Sequence, residues 1–191
     1  RELASYAGHR QRKRGADIAM KVLCVILNFR TPDMTLEAAE AARVALAELD
    51  GEHPIHIVDN DSGDGSYEKI KAGVEERGWG NVRVSQSGNN GGFGAGNNFA
   101  MREALASDDP PDYIYILNSD AFPAKDAIRT LVEFMEKTPD AGLAGSYIHG
   151  TDGEPHLTAF RFPSFRAEML SGFRLGALTQ LWPDVEVPIQ P

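Results

Sequence analysis

Four short segments concentrate the residues of this chain that could do chemistry. They are Asn28-Phe29-Arg30-Thr31, residues 59–66 (DNDSGDGS), residues 88–98 (GNNGGFGAGNN) and Asn118-Ser119-Asp120. Asp59 follows an apolar run, so its carboxylate can accept from a base N–H or a ribose hydroxyl; it can equally close an Asx-turn. Phe29 can stack on a base or pack. The glycines at 91, 92, 94 and 96 let backbone approach a ligand closely, with Asn90, Asn97 and Asn98 beside them. Backbone N–H groups at a following helix start suit an anion. Asp120, two residues after Asn118, is the kind of hard oxygen ligand that Mg²⁺ or Mn²⁺ takes next to a diphosphate. Such a metal would neutralise charge growing on a leaving nucleoside diphosphate.

Other chemistries fail on spacing. Gly92, Gly94 and Gly96 run G-x-G-x-G, and a dinucleotide fingerprint would need glycine where Asn97 stands. That fingerprint also belongs after a first strand, not a third. No Gly-Lys dipeptide exists, which excludes a Walker A loop. Cys24 is the single cysteine, so no internal disulfide and no cysteine-based zinc site can form. His53 and His56 have no matching ligand cluster and read as surface or packing residues, and Cys24 reads as core.

The elements that would position these segments alternate between strand and helix. Residues 22–29 read as a strand buried on both faces, with a continuous apolar run over 22–27. A helix from Pro32 carries Leu36, Ala39, Ala42, Leu46 and Leu49 at helical spacing and ends at Gly51. Residues 55–58 form a second strand. Ser66 is placed to cap a helix bearing Ile70 and Val74. Val82 and Val84 mark a third strand, followed by a glycine-asparagine loop and a helix over 97–106. A fourth strand spans 113–117. A helix with Ile128, Leu131 and Met135 inward and a strand near 143–148 complete the pattern. This predicts an α/β fold, a mostly parallel Rossmann-like sheet flanked by helices. In such a sheet ligands lie beyond the carboxyl ends of the strands, where all four polar segments fall.

The chain has 191 residues, 19 basic against 28 acidic, for a net charge of −9. That balance argues against a nucleic-acid partner, and it obliges any phosphate ligand to be held by backbone N–H groups, a local cation or a metal. The longest apolar run, residues 22–27, is far short of the ~20 residues of a membrane helix. With one cysteine and no apolar leader, a cytoplasmic setting is expected. Residues 1–19 read as a disordered leader before a natural start at Met20. Their basic residues also admit peripheral contact with anionic lipid at the inner membrane face. Residues 182–191 are proline-rich and stop without a capping element, as at an artificial boundary.

Taken together, residues 22–32, the Val58-Asp59-Asn60-x-Ser62-x-Asp64-Gly65-Ser66 run, the loop from Asn90 to Asn98 and Ile116-Leu117-Asn118-Ser119-Asp120 resemble glycosyltransferase family 2. The nearest likeness is to its bacterial rhamnosyltransferase-like branch. The resemblance spans about residues 21–153. It implies a GT-A fold, a hexosyltransferase type of activity, a nucleotide-diphosphate sugar donor, a divalent metal and inversion at the anomeric carbon. By motif position Asp59 would meet the base, Asn28 and Phe29 would border it, and Asp120 would bind Mn²⁺ or Mg²⁺. The loop residues Asn90, Gly91, Gly92, Asn97 and Asn98, with Asn118, would complete the nucleotide site. The donor would be a dTDP- or UDP-sugar, with rhamnose suggested by the branch. The acceptor would be a saccharide or lipid-linked precursor of a cell-surface polysaccharide.

Two departures follow. Asn118 stands where many relatives have the first Asp of D-x-D. No Glu-Asp dipeptide occurs, so no residue is assigned as catalytic base, and the base is expected beyond this chain. The domain reading is a leader over 1–19, a nucleotide-sugar-binding GT-A domain over 20–153 and the incomplete start of an acceptor-side region over 154–191. Two other functions stay open: a nucleotidyltransferase that makes nucleotide sugars, which would want a basic phosphate loop after the first strand, and a non-catalytic nucleotide-binding module.

Overall fold

The computed structural model describes residues 20–150, Gly153 and the two-residue strand Pro155–His156; the leader over 1–19 and most of the region over 154–191 lie outside the described residues. The chain divides into two compact units after Ala144.

The first unit is built on a four-stranded sheet of β1 (Val22–Asn28), β2 (Ile55–Asp59), β3 (Val82–Gln86) and β4 (Tyr113–Asn118), in the order β3-β2-β1-β4. Every pairing in it is parallel. Four helices connect or follow the strands: α1 (Pro32–Leu46), α2 (Ser66–Glu76), α3 (Gly92–Leu105) and α4 (Ala127–Lys137).

β1 is central, and all seven of its residues are buried. Side chains alternate across a strand, and the alternation here separates two cores. Val22, Cys24 and Ile26 pack with Leu36, Ala39 and Ala42 of α1, Ile70 and Val74 of α2, and Ile128 and Val132 of α4. Leu23, Val25 and Leu27 face the other way and pack with Val58 of β2 and Ala100 of α3. Each fully buried aliphatic side chain contributes roughly 1.5–3 kcal/mol relative to exposure. This two-sided burial is why β1 is apolar at every position from Val22 to Leu27 and not at alternate ones.

The same alternation places polar residues. Ile55, Ile57 and Asp59 lie on one face of β2, so Asp59 ends an apolar row beneath α1 and α2. Asn28 ends the corresponding row of β1 and is Asp59's register partner. The strand order reverses between β1 and β4, and a crevice at their carboxyl ends follows from that reversal.

Four expectations are corrected. α3 begins at Gly92, not at 97, so the glycine-rich stretch is the first turn of the helix and not a loop before it. Glycine is a poor helix former, but a Cβ on Gly96 would stand 2.4 Å from Leu27 Cδ1. The close approach of α3 to β1 overrides propensity there. Ser66 does not cap α2. Gly65, at φ 86°, holds the N-cap position. The Asp64 carboxylate instead accepts from the Ser66 backbone N–H at 3.0 Å and from its hydroxyl at 2.5 Å. On α4 the inward row is Ile128, Val132 and Met135, while Leu131 is half-buried. Residues 143–147 form no strand, and Leu143 is 94% exposed. The strand of that region is β5 (Ile148–His149), in the second unit, paired antiparallel with β6 (Pro155–His156). No helix of the described residues is long and apolar enough to cross a membrane.

Candidate functional site

At the carboxyl edge of the sheet, Asn28 and Asp59 are both fully buried and joined directly. The Asn28 amide donates to Asp59 Oδ1 at 2.6 Å. Asp59 also accepts from the Ser62 hydroxyl at 2.6 Å and from the Ser62 backbone N–H at 3.1 Å. A buried carboxylate without partners would be costly; three donors make this one tolerable. Asp59 therefore folds the loop after β2 back onto β1.

The other end of the Asn28 amide serves β1's own loop. Its Oδ1 accepts from the Thr35 hydroxyl at 2.9 Å and the Thr31 backbone N–H at 3.2 Å, with the Thr31 hydroxyl at 3.3 Å. The Thr31 hydroxyl also lies 3.1 Å from Ser119 Oγ, across to the segment after β4. Ser62 completes the tie, its hydroxyl accepting from the Arg30 backbone N–H at 3.0 Å. Three strand ends are thus locked into one hydrogen-bonded unit.

Arg30 and Asp61 stand at this edge with positive φ, 61° and 57°. They are the two described non-glycine residues in that region, and such conformations cluster at functional sites. Arg30 Nε donates to the Ser62 carbonyl at 3.1 Å, and its guanidinium lies 5.0 Å from the Phe29 ring centroid. Phe29 is 42% exposed. Its ring, braced by Arg30, is therefore available for stacking.

The loop before α3 is tied to the same edge. Asn60 Nδ2 donates to Asn90 Oδ1 at 2.9 Å, and the Ser87 hydroxyl donates to Asn60 Oδ1 at 3.2 Å. Asn90 Oδ1 also accepts from the Gly92 backbone N–H at 3.0 Å, which fixes the first turn of α3. Gly91, Gly92, Phe93 and Gly94 are exposed. Asn97 is buried, and its Nδ2 donates back to the Phe93 carbonyl at 2.9 Å. Asn98 is exposed on α3.

Beside this edge lies a cleft of about 400 Å³ lined by Leu27, Phe93, Asn118, Ser119 and Asp120. Asn118 is the register partner of Leu27, at the β1–β4 reversal. Asn118 and Asp120 are exposed. Among the described residues no three His, Cys, Asp or Glu side chains gather to hold a metal. One carboxylate and one amide oxygen are hard ligands, and they fit a divalent cation that takes the rest of its shell from a bound ligand.

His53 and His56 are both buried, as packing residues. His53 Nδ1 accepts from the Val22 backbone N–H at 3.2 Å. His56 Nε2 lies 2.6 Å from the Ser85 hydroxyl. Burial first, then the Arg83 cation, push the His56 imidazole down to about 4. Burial likewise pushes the Cys24 thiol up.

The sequence reading overlooked Thr31, Thr35, Ser62, Ser119 and Arg30 as site residues. One signal was available: Arg30 is the single cationic side chain in the four polar segments. Nothing in composition distinguished the hydroxyl residues, which are common in any turn.

A family model described as glycosyl transferase family 2 matches residues 25–183. No curated protein matches the chain significantly. Among solved structures, the mannosyltransferase PcManGT from Pyrobaculum calidifontis, in complex with GDP-Man and Mn²⁺, is 18% identical. That match covers 70% of this chain and 39% of the mannosyltransferase, with a TM-score of 0.51. S. aureus TarS 1–349 in complex with UDP-GlcNAc is 22% identical over 62% of this chain and 32% of its own, with a TM-score of 0.48. The chain thus spans about two fifths of the mannosyltransferase and about a third of TarS. The likeness to the mannosyltransferase establishes the fold alone, a parallel sheet flanked by helices of GT-A type.

Proposed function

Because this chain belongs to glycosyl transferase family 2, we propose that its sheet edge holds the donor of an inverting sugar transfer. The donor is a nucleotide-diphosphate sugar, and the acceptor is a saccharide or lipid-linked precursor. The observation that carries this reading is the convergence of three strand ends. Asn28, Asp59 with Ser62, and Thr31 with Ser119 form one hydrogen-bonded edge beside the cleft that Asp120 borders.

On this reading Phe29 stacks on the base and Asn28 and Asp59 set the surface it meets. Asp59 is buried and spends its oxygens on Asn28 and Ser62, so it acts largely by holding Phe29 and Arg30 in place. Asn90, Gly91, Gly92, Asn97 and Asn98 carry the first turn of α3 toward the diphosphate, where exposed backbone N–H groups suit an anion. Asn118 borders the nucleotide, and Asp120 holds Mn²⁺ or Mg²⁺. The structural relative bound to GDP-Man and Mn²⁺ is consistent with that pairing. When bound, the metal would supply charge neutralisation at the leaving diphosphate. A dTDP- or UDP-linked sugar, rhamnose among them, is the donor class to try first, in a protein working at the inner membrane face.

Calorimetry of UDP, dTDP and GDP, with and without Mn²⁺, tests the reading on wild type and Asp120→Asn. Metal and nucleotide should strengthen each other's binding in wild type, because they share the diphosphate oxygens. Asp120→Asn should remove that gain and leave the metal-free affinity unchanged. Equal nucleotide affinity under all these conditions would end the metal role, and no binding by any nucleotide would end the donor reading.

A further inference from the structure

Thr31 occupies the N-cap of α1, yet its side chain makes no capping hydrogen bond. Threonine at that position ordinarily satisfies a free N–H of the first turn, worth about 1 kcal/mol. Here that role is given up, and the hydroxyl turns to Ser119 at 3.1 Å and Asn28 Oδ1 at 3.3 Å. The return for the lost cap lies at the sheet edge, where this hydroxyl ties the loop after β1 to the segment after β4.

Hydrogen counting sharpens the point. A hydroxyl has one hydrogen to give, and a carbonyl oxygen has two lone pairs. Asn28 Oδ1 has the Thr31 N–H at 3.2 Å and the Thr35 hydroxyl at 2.9 Å, and that hydroxyl lies equally near the Thr31 carbonyl. Of the two acceptors around the Thr31 hydroxyl, Ser119 is the nearer, at 3.1 Å against 3.3 Å. Ser119 then accepts and keeps its own hydrogen, with Thr31 as its single hydrogen-bond partner among the described residues. Ser119 also lines the cleft with Asp120. A hydroxyl whose accepting side is occupied must present its hydrogen elsewhere, and the cleft is the space it borders.

We propose that Thr31 and Ser119 form a hydroxyl relay, in which Thr31 orients Ser119 to donate a hydrogen bond to an oxygen of the nucleoside diphosphate in the cleft. This rests on the donor-site reading above. Ser119 is the binding residue, and Thr31 is a positioning residue acting through it. The relay suits an acidic chain, because it offers an anion a neutral donor where cationic side chains are scarce. It also gives the β1 and β2 loops a mechanical link to the Asp120 segment. A hydrogen bond to a charged oxygen is among the stronger kinds, enough for about a tenfold change in affinity.

Titration calorimetry on the 191-residue chain tests this, using whichever of UDP, dTDP and GDP binds wild type, with Mn²⁺ present. The variants are Ser119→Ala, Thr31→Val, Thr31→Ser, the double variant Thr31→Val/Ser119→Ala, and Asp120→Asn. Thermal melts report folding alongside. Ser119→Ala and Thr31→Val should each weaken nucleotide binding about tenfold, and Thr31→Ser should restore it. The double variant should bind no more weakly than Ser119→Ala alone, since Thr31 acts only through Ser119. If Ser119→Ala binds as wild type does while Asp120→Asn is weaker, the relay is wrong and the donor site stands. Additive losses in the double variant would likewise overturn the relay. If wild type binds none of the three nucleotides, the relay and the donor reading fall together.

Discussion

Asp59 spends its carboxylate on its neighbours at the sheet edge. It is fully buried and serves Asn28 and Ser62. Replacing it with alanine leaves the Asn28 amide only its longer bond to the Ser62 hydroxyl and strands the Ser62 N–H, and an unpaired buried donor costs about 1–3 kcal/mol. Asp59→Ala should therefore lower stability by at least that amount in urea unfolding, as well as weaken ligand binding; unchanged stability would mean the network is not formed. His56 sets a pH dependence. Its folded value of about 4 lies below the ordinary 6.5, so the unfolded chain binds the extra proton first. Stability from His56 is complete above about pH 6.5 and is lost as pH falls toward 4. His56→Gln should flatten that part of the profile in melts taken from pH 7 to 4. The position of Asp59 was legible from its place after a buried strand. Its burial was not, because nothing in a single sequence says that Asn28 and Ser62 will close over it.

At the level of elements, the glycines of α3 do different work. Gly96 meets Leu27 Cδ1 and Cδ2, at 2.4 and 2.9 Å from an added Cβ, whereas Gly94 meets nothing within 4 Å. Gly96→Ala should cost roughly 1–3 kcal/mol through overpacking. Gly94→Ala should be neutral or stabilise by up to about 1 kcal/mol, since it relieves glycine's entropy loss in a helix. Chemical denaturation of the two variants measures the contrast, and equal effects would show that α3 does not press on β1. The strands and helices of the first unit were readable where the apolar period was strong, as in β1 and α1. The start of α3 was not, because a run of glycines signals loop by propensity and only the contact with Leu27 reverses it. The strand expected over 143–148 failed for a related reason: an apolar residue such as Leu143 carries no mark of whether anything will cover it.

For the molecule as a whole, the two cores on either side of β1 make one buried thiol a reporter of the entire sheet. Cys24 is fully buried at the centre of β1, and burial raises its thiol pKa, which leaves it little reactive thiolate. Labelling by a thiol reagent should proceed only through opening of the sheet and should accelerate in urea in step with global unfolding. Rapid labelling in native buffer would contradict the central placement of β1. The parallel α/β architecture was legible from the alternation of apolar runs, and so was the gathering of the polar segments at one edge of the sheet. The order of the strands was not, since sequence neighbours do not reveal that β1 pairs with β4 as well as β2.

That last pairing has a consequence for how the chain is made. Val22 of β1 lies beside Tyr113 of β4, a separation of 113 − 22 = 91 residues. At a synthesis rate of about 5–20 residues per second, β1 leaves the ribosome on the order of 5–20 s before its second neighbour. Throughout that interval one edge of the most apolar strand in the sheet stays unpaired, and Leu23, Val25 and Leu27 wait for α3 to cover them. While that edge is open the newborn chain exposes apolar strand surface, and slowing translation before residue 113 should lengthen its exposure.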